Sequence, residues 1–183
     1  MSSLLENAFS FETKRLSIIP WRQHESSNDK LIKAVGFITT NNVLKTLPPS
    51  WQNLDSLPTI KNWIVEREKE SHCLAIVHKS ENKMIGILLL NKPSEKDKYI
   101  DLRVGYLIAE TYWKKGFASE LIMGLCQLCK EDGRVDTIIG GVDPTNLGSI
   151  KVLTRNGFVP TQSSANDTTH FYQYLCKNQT PNR

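Results

Sequence analysis

A short basic turn with one glycine lies between a strand-like run and a helix-like segment in the second half of the chain. The run covers residues 104–108, and residues 112–120 read Tyr-Trp-Lys-Lys-Gly-Phe-Ala-Ser-Glu. Backbone N–H groups in such a turn and in the first helical turn lack intrahelical partners and carry the positive end of the helix dipole. This pattern predicts a pyrophosphate site. Its expected ligands are Lys114, Lys115, Gly116, Phe117, Ala118 and Ser119.

A second polar pattern follows about thirty residues later, where residues 143–158 read Asp-Pro-Thr-Asn-Leu-Gly-Ser-Ile-Lys-Val-Leu-Thr-Arg-Asn-Gly-Phe. Asn146 and Ser149 stand one helical turn apart, so both can face the same groove. Asn146 also fits the position of a helix N-cap, and the two roles are compatible.

With these two segments the chain resembles the GNAT superfamily of acyl-CoA-dependent N-acetyltransferases, most closely its ribosomal-protein Nα-acetyltransferase branch. That branch usually reads Y-W-G-K-G-Y-A in the first segment and N-x-x-S-x-x-V-L-x-K-x-G-F in the second. Residues 12–16 and 20–22 also resemble the first strand of the branch, and the likeness spans about residues 11–175. The matching residues are Tyr112, Trp113, Lys115, Gly116, Ala118, Asn146, Ser149, Val152, Leu153, Gly157 and Phe158.

The resemblance implies an α/β fold with a mostly antiparallel central sheet, helices on its faces and a splay between its two central strands. It implies one N-acetyltransferase domain over residues 1–183, with a core over about 11–175. Acetyl-CoA is the expected co-substrate, with no metal. Its pantetheine arm is expected to add to the backbone of Leu107 and Ile108, and Gly105 permits a bulge there.

Acetyl transfer to an amine needs a donor for the departing thiolate and a base for the amine. The resemblance implies Ser149 as that donor. Many members of the superfamily use a tyrosine acid where Leu153 stands, and Leu153 belongs instead to an apolar stripe with Leu147 and Ile150.

The base is left unassigned by the sequence, because Arg103 stands where the branch often has a glutamate and a guanidinium accepts no proton at neutral pH. Asp101, two residues earlier on the same strand face, is either a base acting through water or the ion-pair partner of Arg103, and the second interpretation is favoured. Alternatively, Arg103 points into the acceptor cleft and binds a carboxylate. Trp51, expected to be exposed in the irregular segment 39–58, is the other expected acceptor contact, and residues 163–169 are expected to add to the acceptor wall.

The four cysteines favour direct transfer over a covalent enzyme intermediate. Cys126 and Cys129 fall on the apolar stripe of a predicted helix, and none of the four stands in the electropositive context of a reactive thiol. No second pair completes a zinc site.

Composition and charge indicate an ordinary soluble protein, which is expected to stay in the cytoplasm. The 183 residues carry a net charge of +4, which suits an anionic ligand and is too small to indicate nucleic acid. No apolar run reaches the roughly 18 residues of a membrane span, and residues 1–11 do not resemble a signal peptide.

Hydrophobic periodicity and turn residues predict the elements that place these residues. Helices are predicted over 28–37, 59–71, 116–132 and 146–155, and strands over 11–21, 73–78, 84–90, 99–108 and 135–142, with a last hairpin from 158 to 176. Residues 39–58 and the loop 93–98 are predicted connections.

The sequence therefore predicts an N-acetyltransferase that acts on a primary amine, most favourably a protein or peptide N-terminus. Acetylation of a small amine or amino acid is the alternative within enzymes. A degenerate acetyltransferase fold that binds acyl-CoA or a peptide without turnover is the alternative from another class. The oligomeric state and the identity of the amine stay open.

Overall fold

The strands of the protein form one sheet in a computed structural model that describes residues 9–91, 100–162 and 168–176. The strands are β1 (Phe11–Glu12), β2 (Leu16–Pro20), β3 (Ser71–His78), β4 (Lys83–Asn91), β5 (Ile100–Ile108), β6 (Val135–Val142), β7 (Val159–Pro160) and β8 (His170–Leu175). The α-helices are α1 (Trp21–His24), α2 (Asn28–Ile38), α3 (Asn41–Leu44), α4 (Leu57–Glu70), α5 (Phe117–Asp132) and α6 (Leu147–Arg155), with 3₁₀ turns at Pro49–Trp51 and Glu110–Tyr112.

The sheet order is β1-β2-β3-β4-β5-β6-β8-β7. Every neighbouring pair is antiparallel except β5 and β6, which run parallel. Strands β3 and β4 lie inside the sheet. They are nearly continuous apolar runs, as strands covered on both faces must be. Helix α2 contacts β4 and helix α4 contacts β3, while α5 and α6 both contact β6. The predicted α/β architecture is confirmed.

The two central parallel strands part half-way along their length. Their ladder runs from Ile100–Val135 to Val104–Gly140 and ends there. Strand β5 stays paired with β4 as far as Ile108, and β6 stays paired with β8 as far as Val142. The expected splay is therefore present, and it opens between two intact ladders.

Helix α5 carries the apolar stripe that the sequence predicts. It begins after Gly116 and ends before Gly133, both left-handed, so each end is fixed by a conformation that glycine adopts without strain. Cys126 and Cys129 are buried in it. No helix among the described residues combines the length and hydropathy that crossing a bilayer requires.

Five expectations from the sequence need correction. The predicted strand 11–21 is two antiparallel strands, β1 and β2, and Trp21 begins α1. The segment 39–58 holds α3 and a 3₁₀ turn, and Trp51 is not exposed, because it packs edge-on against Trp63 and lies 4.4 Å from the buried Arg67 guanidinium. Leu147 is 64% exposed and lies outside the core that Leu153 occupies. Along the described pairs of β4 and β5 the register runs without a shift at Gly105, so the expected bulge is absent. The predicted loop 93–98 lies outside the described residues.

The carboxylate of Glu120 ties the start of α5 to the turn between β1 and β2. It accepts hydrogen bonds from the Thr13 hydroxyl at 2.7 Å and from the backbone N and Nε of Arg15 at 2.7 and 2.6 Å. Arg15 also donates from Nη1 to the Lys115 carbonyl at 2.9 Å. Burial raises the pKa of Glu120, but the hydrogen bonds from Thr13 and Arg15 and the charge of Arg15 outweigh it, so the pKa lies below its ordinary value. We call this set of contacts the Glu120 clamp.

We expect Glu120→Gln to lower the free energy of unfolding by about 1.5 to 3 kcal/mol at pH 7, because it weakens charge-assisted hydrogen bonds. A carboxylate with a depressed folded pKa contributes fully above its unfolded pKa and loses that contribution as the pH falls through the folded pKa. The deficit measured by chemical denaturation should therefore shrink below about pH 4.

Glu131→Gln on the same helix is the control, because its exposed carboxylate accepts from Gln127 at the surface. It should change the free energy of unfolding by less than about 0.5 kcal/mol. Equal effects of the two substitutions, or a deficit that does not depend on pH, would contradict the role assigned to the clamp.

Candidate active site

A cleft of about 980 Å³ opens where β5 and β6 part. Most of the described lining comes from residues 43–51, the ends of β4 and β5, the turn that leads into α5, and the turn from β6 into α6 with the helix that follows. Ser71 and Thr169 also line the cleft, and residues 163–167 of the expected acceptor wall lie outside the described residues. The cleft thus brings together the two polar patterns of the sequence, which both follow a central strand and precede a helix.

The turn before α5 forms a cradle of backbone N–H groups, residues 114–119. Lys114 and Gly116 both have a left-handed backbone, with φ of 59° and 81°. No side chain caps α5, whose hydrogen-bond ladder starts with the Glu120 N–H donating to the Gly116 carbonyl. The N–H groups of Phe117, Ala118 and Ser119 therefore have no intrahelical partner. Such a cradle at the positive end of a 16-residue helix suits an anion.

The two lysines of the cradle point in different directions. Lys114 lines the cleft. Lys115 lies outside its lining, since its carbonyl accepts from Arg15 and its ammonium lies 5.2 Å from the centroid of the Tyr112 ring. The cradle thus has one lysine at the cleft where two were expected.

The backbone of β5 presents alternate residues to the gap. The Ala109 N–H donates to the Ile85 carbonyl in register with β4, so residues 105 and 107 turn their backbone groups to β4 as well. Tyr106 and Ile108 therefore face the gap, and the Ile108 carbonyl accepts from the Trp113 indole at 2.7 Å. The expectation for Leu107 is corrected: its side chain lines the cleft, but its backbone belongs to the β4 ladder.

The start of α6 supplies the opposite wall. The Asn146 side chain accepts from the Ser149 N–H at 3.1 Å, so Asn146 is the predicted N-cap, and both residues line the cleft. The preceding turn is closed by Asp143, which accepts from the N–H and hydroxyl of Thr145 at 2.8 and 2.6 Å. These hydrogen bonds lower the pKa of Asp143, and burial opposes them weakly.

Arg103 and Trp51 are the two cleft residues expected to contact the acceptor. Both line the cleft, together with Leu89 and Asn91 of β4. The Arg103 N–H donates to the Asn91 side chain, and the Arg103 side chain is exposed to the cleft. The Arg67 guanidinium lies over the Trp51 ring, and the cleft lining thus includes a cationic side chain, Arg103, and an aromatic one, Trp51.

The match to known families decides the class. A model of the acetyltransferase (GNAT) domain matches residues 15–159. The chain belongs to this family. A comparison with curated protein sequences finds no match.

Solved structures share the fold of this GNAT protein at low sequence identity. RimL, the ribosomal L7/L12 alpha-N-protein acetyltransferase solved with coenzyme A, is 16% identical with a TM-score of 0.66, over 89% of this chain and 95% of that one. The ribosomal-protein-S5-alanine acetyltransferase from Vibrio fischeri is 17% identical with a TM-score of 0.65, over 94% and 99%. The microcin C7 self-immunity acetyltransferase MccE, solved with acetyl-CoA and AMP, is 15% identical with a TM-score of 0.66, over 88% and 93%.

Asp101, like Lys115, is a predicted site residue that lies outside the cleft lining. It is exposed on β5, and among the described residues no ion pair joins it to Arg103. This geometry gives no support to a role as general base, and it leaves the Arg103 guanidinium available to a ligand.

Tyr106 is the cleft residue that the sequence reasoning missed. It lines the cleft on the α6 side of β5, with its hydroxyl buried. The alternation of side chains along β5 could have pointed to Tyr106 as a cleft residue. Tyr106 lies two residues beyond Val104, the last residue of β5 paired with β6, and so lies on the same face of the strand.

We expect Gly105→Ala to leave the free energy of unfolding unchanged or to raise it by up to about 1 kcal/mol, because glycine weakens a strand and a Cβ at this position meets nothing within 4 Å. Gly86→Ala on the neighbouring strand is the comparison, since its Cβ would clash with the Leu107 carbonyl. That variant should lose about 1 to 3 kcal/mol in chemical denaturation. A similar loss for both would show that Gly105 does not face open space.

Proposed function

We propose that this protein transfers an acetyl group from acetyl-CoA to a primary amine, most favourably a protein or peptide N-terminus. The observation that carries the proposal is the course of the cleft. It leads from an anion cradle at the start of α5, along β5 backbone that faces a gap of the sheet, to Arg103 further back on β5, and Trp51 also lines it.

The residues present fit acetyl-CoA as co-substrate. The cradle residues 114–119 suit its pyrophosphate, and the gap-facing backbone of Tyr106 and Ile108 suits the amides of its pantetheine arm. Among the described residues, four cationic residues and one carboxylate line the cleft, which favours a ligand with several negative charges. They are Arg103, Lys114, Lys151, Arg155 and Asp143.

Direct attack of the amine is favoured over an acetylated cysteine. No cysteine is among the described residues that line the cleft. Burial raises the pKa of Cys126 to about 12, so this thiol stays protonated. A covalent route needs a reactive thiolate next to the thioester.

Ser149 is the proposed hydroxyl near the departing thiolate, in keeping with its place on the first turn of α6. Asp143 is the one carboxylate among the described residues that line the cleft. Its Oδ1 already accepts hydrogen bonds from the N–H and the hydroxyl of Thr145. The amine is therefore expected to lose its proton through water.

Arg103 is the proposed specificity contact for the acceptor. A guanidinium in the cleft favours an acceptor with a carboxylate close to its amine. RimL and the Vibrio fischeri enzyme bear the names of ribosomal-protein acetyltransferases, which agrees with a protein acceptor here. A free amino acid also carries a carboxylate near its amine, so small acceptors are the second candidate.

A screen with acetyl-CoA tests the proposal. Peptides with acidic, neutral or basic second and third residues, and free amino acids, are offered while thiol release is followed and products are identified by mass. Copies of each peptide with a blocked N-terminus are the controls. Release of thiol together with acetylation of free N-termini is the expected result. Acetyl-CoA binding without turnover of any acceptor would favour a binding fold without activity.

We expect Gly116→Glu to remove the rise in melting temperature that acetyl-CoA gives the parent, because a ligand that binds the native state stabilises it. The substitution adds a negative charge at the start of α5, next to the cradle, with its Cβ 3.4 Å from Nη2 of Arg15. Gly133→Glu is the matched control, since Gly133 is also left-handed and lies at the far end of the same helix. Both variants should lose stability, about 1 to 2 kcal/mol each, but only Gly116→Glu should lose the response to acetyl-CoA. An undiminished response would refute the cradle assignment.

We expect Arg103→Glu to reverse the ranking of acidic and basic acceptor peptides. A partly desolvated contact between arginine and a carboxylate is worth about 1.5 to 3 kcal/mol, roughly one to two decades in kcat/KM. Asp101→Asn, two residues away but outside the cleft, should leave both the ranking and kcat unchanged. A ranking that survives Arg103→Glu would remove the case for an acidic acceptor, and a large loss of kcat in Asp101→Asn would restore Asp101 as the base.

A further inference from the structure

The hydroxyl of Tyr106 is buried without a hydrogen-bond partner among the residues that the structure describes. A buried hydroxyl in this condition costs about 1 to 3 kcal/mol, and native proteins rarely tolerate one without a reason. Here the hydroxyl belongs to a residue of the cleft lining. An unpaired donor at the wall of a ligand site indicates a partner on the ligand.

The position of Tyr106 connects it to the thioester end of the cleft. Its backbone faces the gap just beyond Val104 and Gly140, where β5 and β6 part. Its side chain points towards α6, where the Ser149 hydroxyl approaches it without reaching ordinary hydrogen-bond geometry. Ser149 is itself fixed, because its N–H donates to the Asn146 cap.

The other candidate donors near this point are already occupied or apolar. The Tyr112 hydroxyl donates to Glu81, which raises the pKa of Tyr112 to about 12. Many members of the GNAT superfamily carry a tyrosine at the position of Leu153. Leu153 itself packs against Gly140. Of the two tyrosines in the described lining, Tyr106 has the unoccupied hydroxyl.

We propose that Tyr106 is a catalytic residue that gives its hydroxyl proton to the departing thiolate, with Ser149 as a positioning residue. The inference rests on the proposed acetyl transfer.

The proposed step balances as follows. The amine nitrogen forms a bond to the acetyl carbon, the bond from that carbon to sulfur breaks, and the sulfur keeps the electron pair. The Tyr106 O–H supplies a proton to the sulfur, which leaves as the thiol. The amine loses one proton to water, and the tyrosinate regains one from water, so the enzyme is unchanged.

The chemistry of a phenol suits this task better than that of a serine. A phenol has an ordinary pKa of about 10, close to the 8.5 of an alkyl thiol, whereas an aliphatic hydroxyl is a much weaker acid. Burial raises the pKa of Tyr106, and the nearby Ser149 hydroxyl opposes that rise. Tyr106 is therefore protonated at neutral pH and available as a donor.

The kinetic test compares Tyr106→Phe with Tyr174→Phe, a tyrosine outside the cleft lining. With acetyl-CoA and the best peptide of the screen, Tyr106→Phe should lower kcat by about 10²- to 10⁴-fold and change the acetyl-CoA KM by less than about threefold. Its melting temperature should be unchanged or higher, because an unpaired buried donor is removed. Tyr174→Phe should keep the parent kcat.

A double-substitution cycle separates the two hydroxyls. Ser149→Ala should lower kcat less than Tyr106→Phe does, and the double variant should match Tyr106→Phe alone. A full loss in Ser149→Ala with normal kcat in Tyr106→Phe would overturn the proposal and make Ser149 the direct donor.

A binding experiment tests the contact without any acceptor. If the Tyr106 hydroxyl meets the sulfur, it lowers the pKa of bound coenzyme A thiol, so coenzyme A should gain affinity relative to acetyl-CoA by at least about threefold between pH 7 and pH 9. Tyr106→Phe should show no such gain. An equal gain in parent and variant would overturn the contact. If the parent binds both ligands but acetylates nothing, the proposed function fails, and this titration still decides whether Tyr106 meets the sulfur.

Discussion

The parting of β5 and β6 is the constraint from which the site of this protein follows. Both strands keep their outer partners, β4 and β8, so the gap cannot close by a shift of register. Backbone groups of β5 that face the gap have no strand to pair with, and water or a ligand must satisfy them. Each strand then leads through a short turn into a helix, so the N-termini of α5 and α6 line the same cleft. Two positive helix ends and an open strand edge make this place suitable for an extended anionic ligand.

The Glu120 clamp leaves the backbone N–H groups of the cradle available to a ligand. A carboxylate in the first turn of a helix normally offsets the unpaired N–H groups there. Glu120 instead points to Thr13 and Arg15, and Arg15 holds the carbonyl of Lys115. The negative charge of the first turn is thus neutralised from outside the cleft, while the N–H groups of the cradle stay free. The same contacts fix the turn, so that binding an anion there costs little ordering.

The sequence predicted what depends on local pattern and failed where tertiary contacts decide. The four long helices, the strands from β3 to β6 and the Asn146 cap follow from periodicity and capping residues, and they were found. The single strand predicted over 11–21 was wrong, because the chain turns back after Glu12 and forms two antiparallel strands. Trp51 was expected to be exposed because its segment is irregular, but Arg67 and Trp63, distant in sequence, bury part of it. Leu147 fits the apolar stripe of α6, yet it faces the cleft because the helix begins there. The alternation of side chains along a strand favoured a pair between Asp101 and Arg103. That alternation does not decide which of the two side chains reaches the cleft.

The position of Leu153 explains why a donor for the thiolate belongs on the strand rather than on the helix. Its side chain lies 3.1 Å from where a Cβ of Gly140 would be, at the point where the two strands part. A phenol in that place would have to displace core packing at the splay itself, since Leu153 is 1% exposed. Strand β5 offers a route to the same region without that cost, because alternate residues beyond Val104 face α6. Tyr106 takes this route, and the unpaired hydroxyl that it leaves in the ligand-free protein is the energetic cost of keeping a donor ready for the ligand.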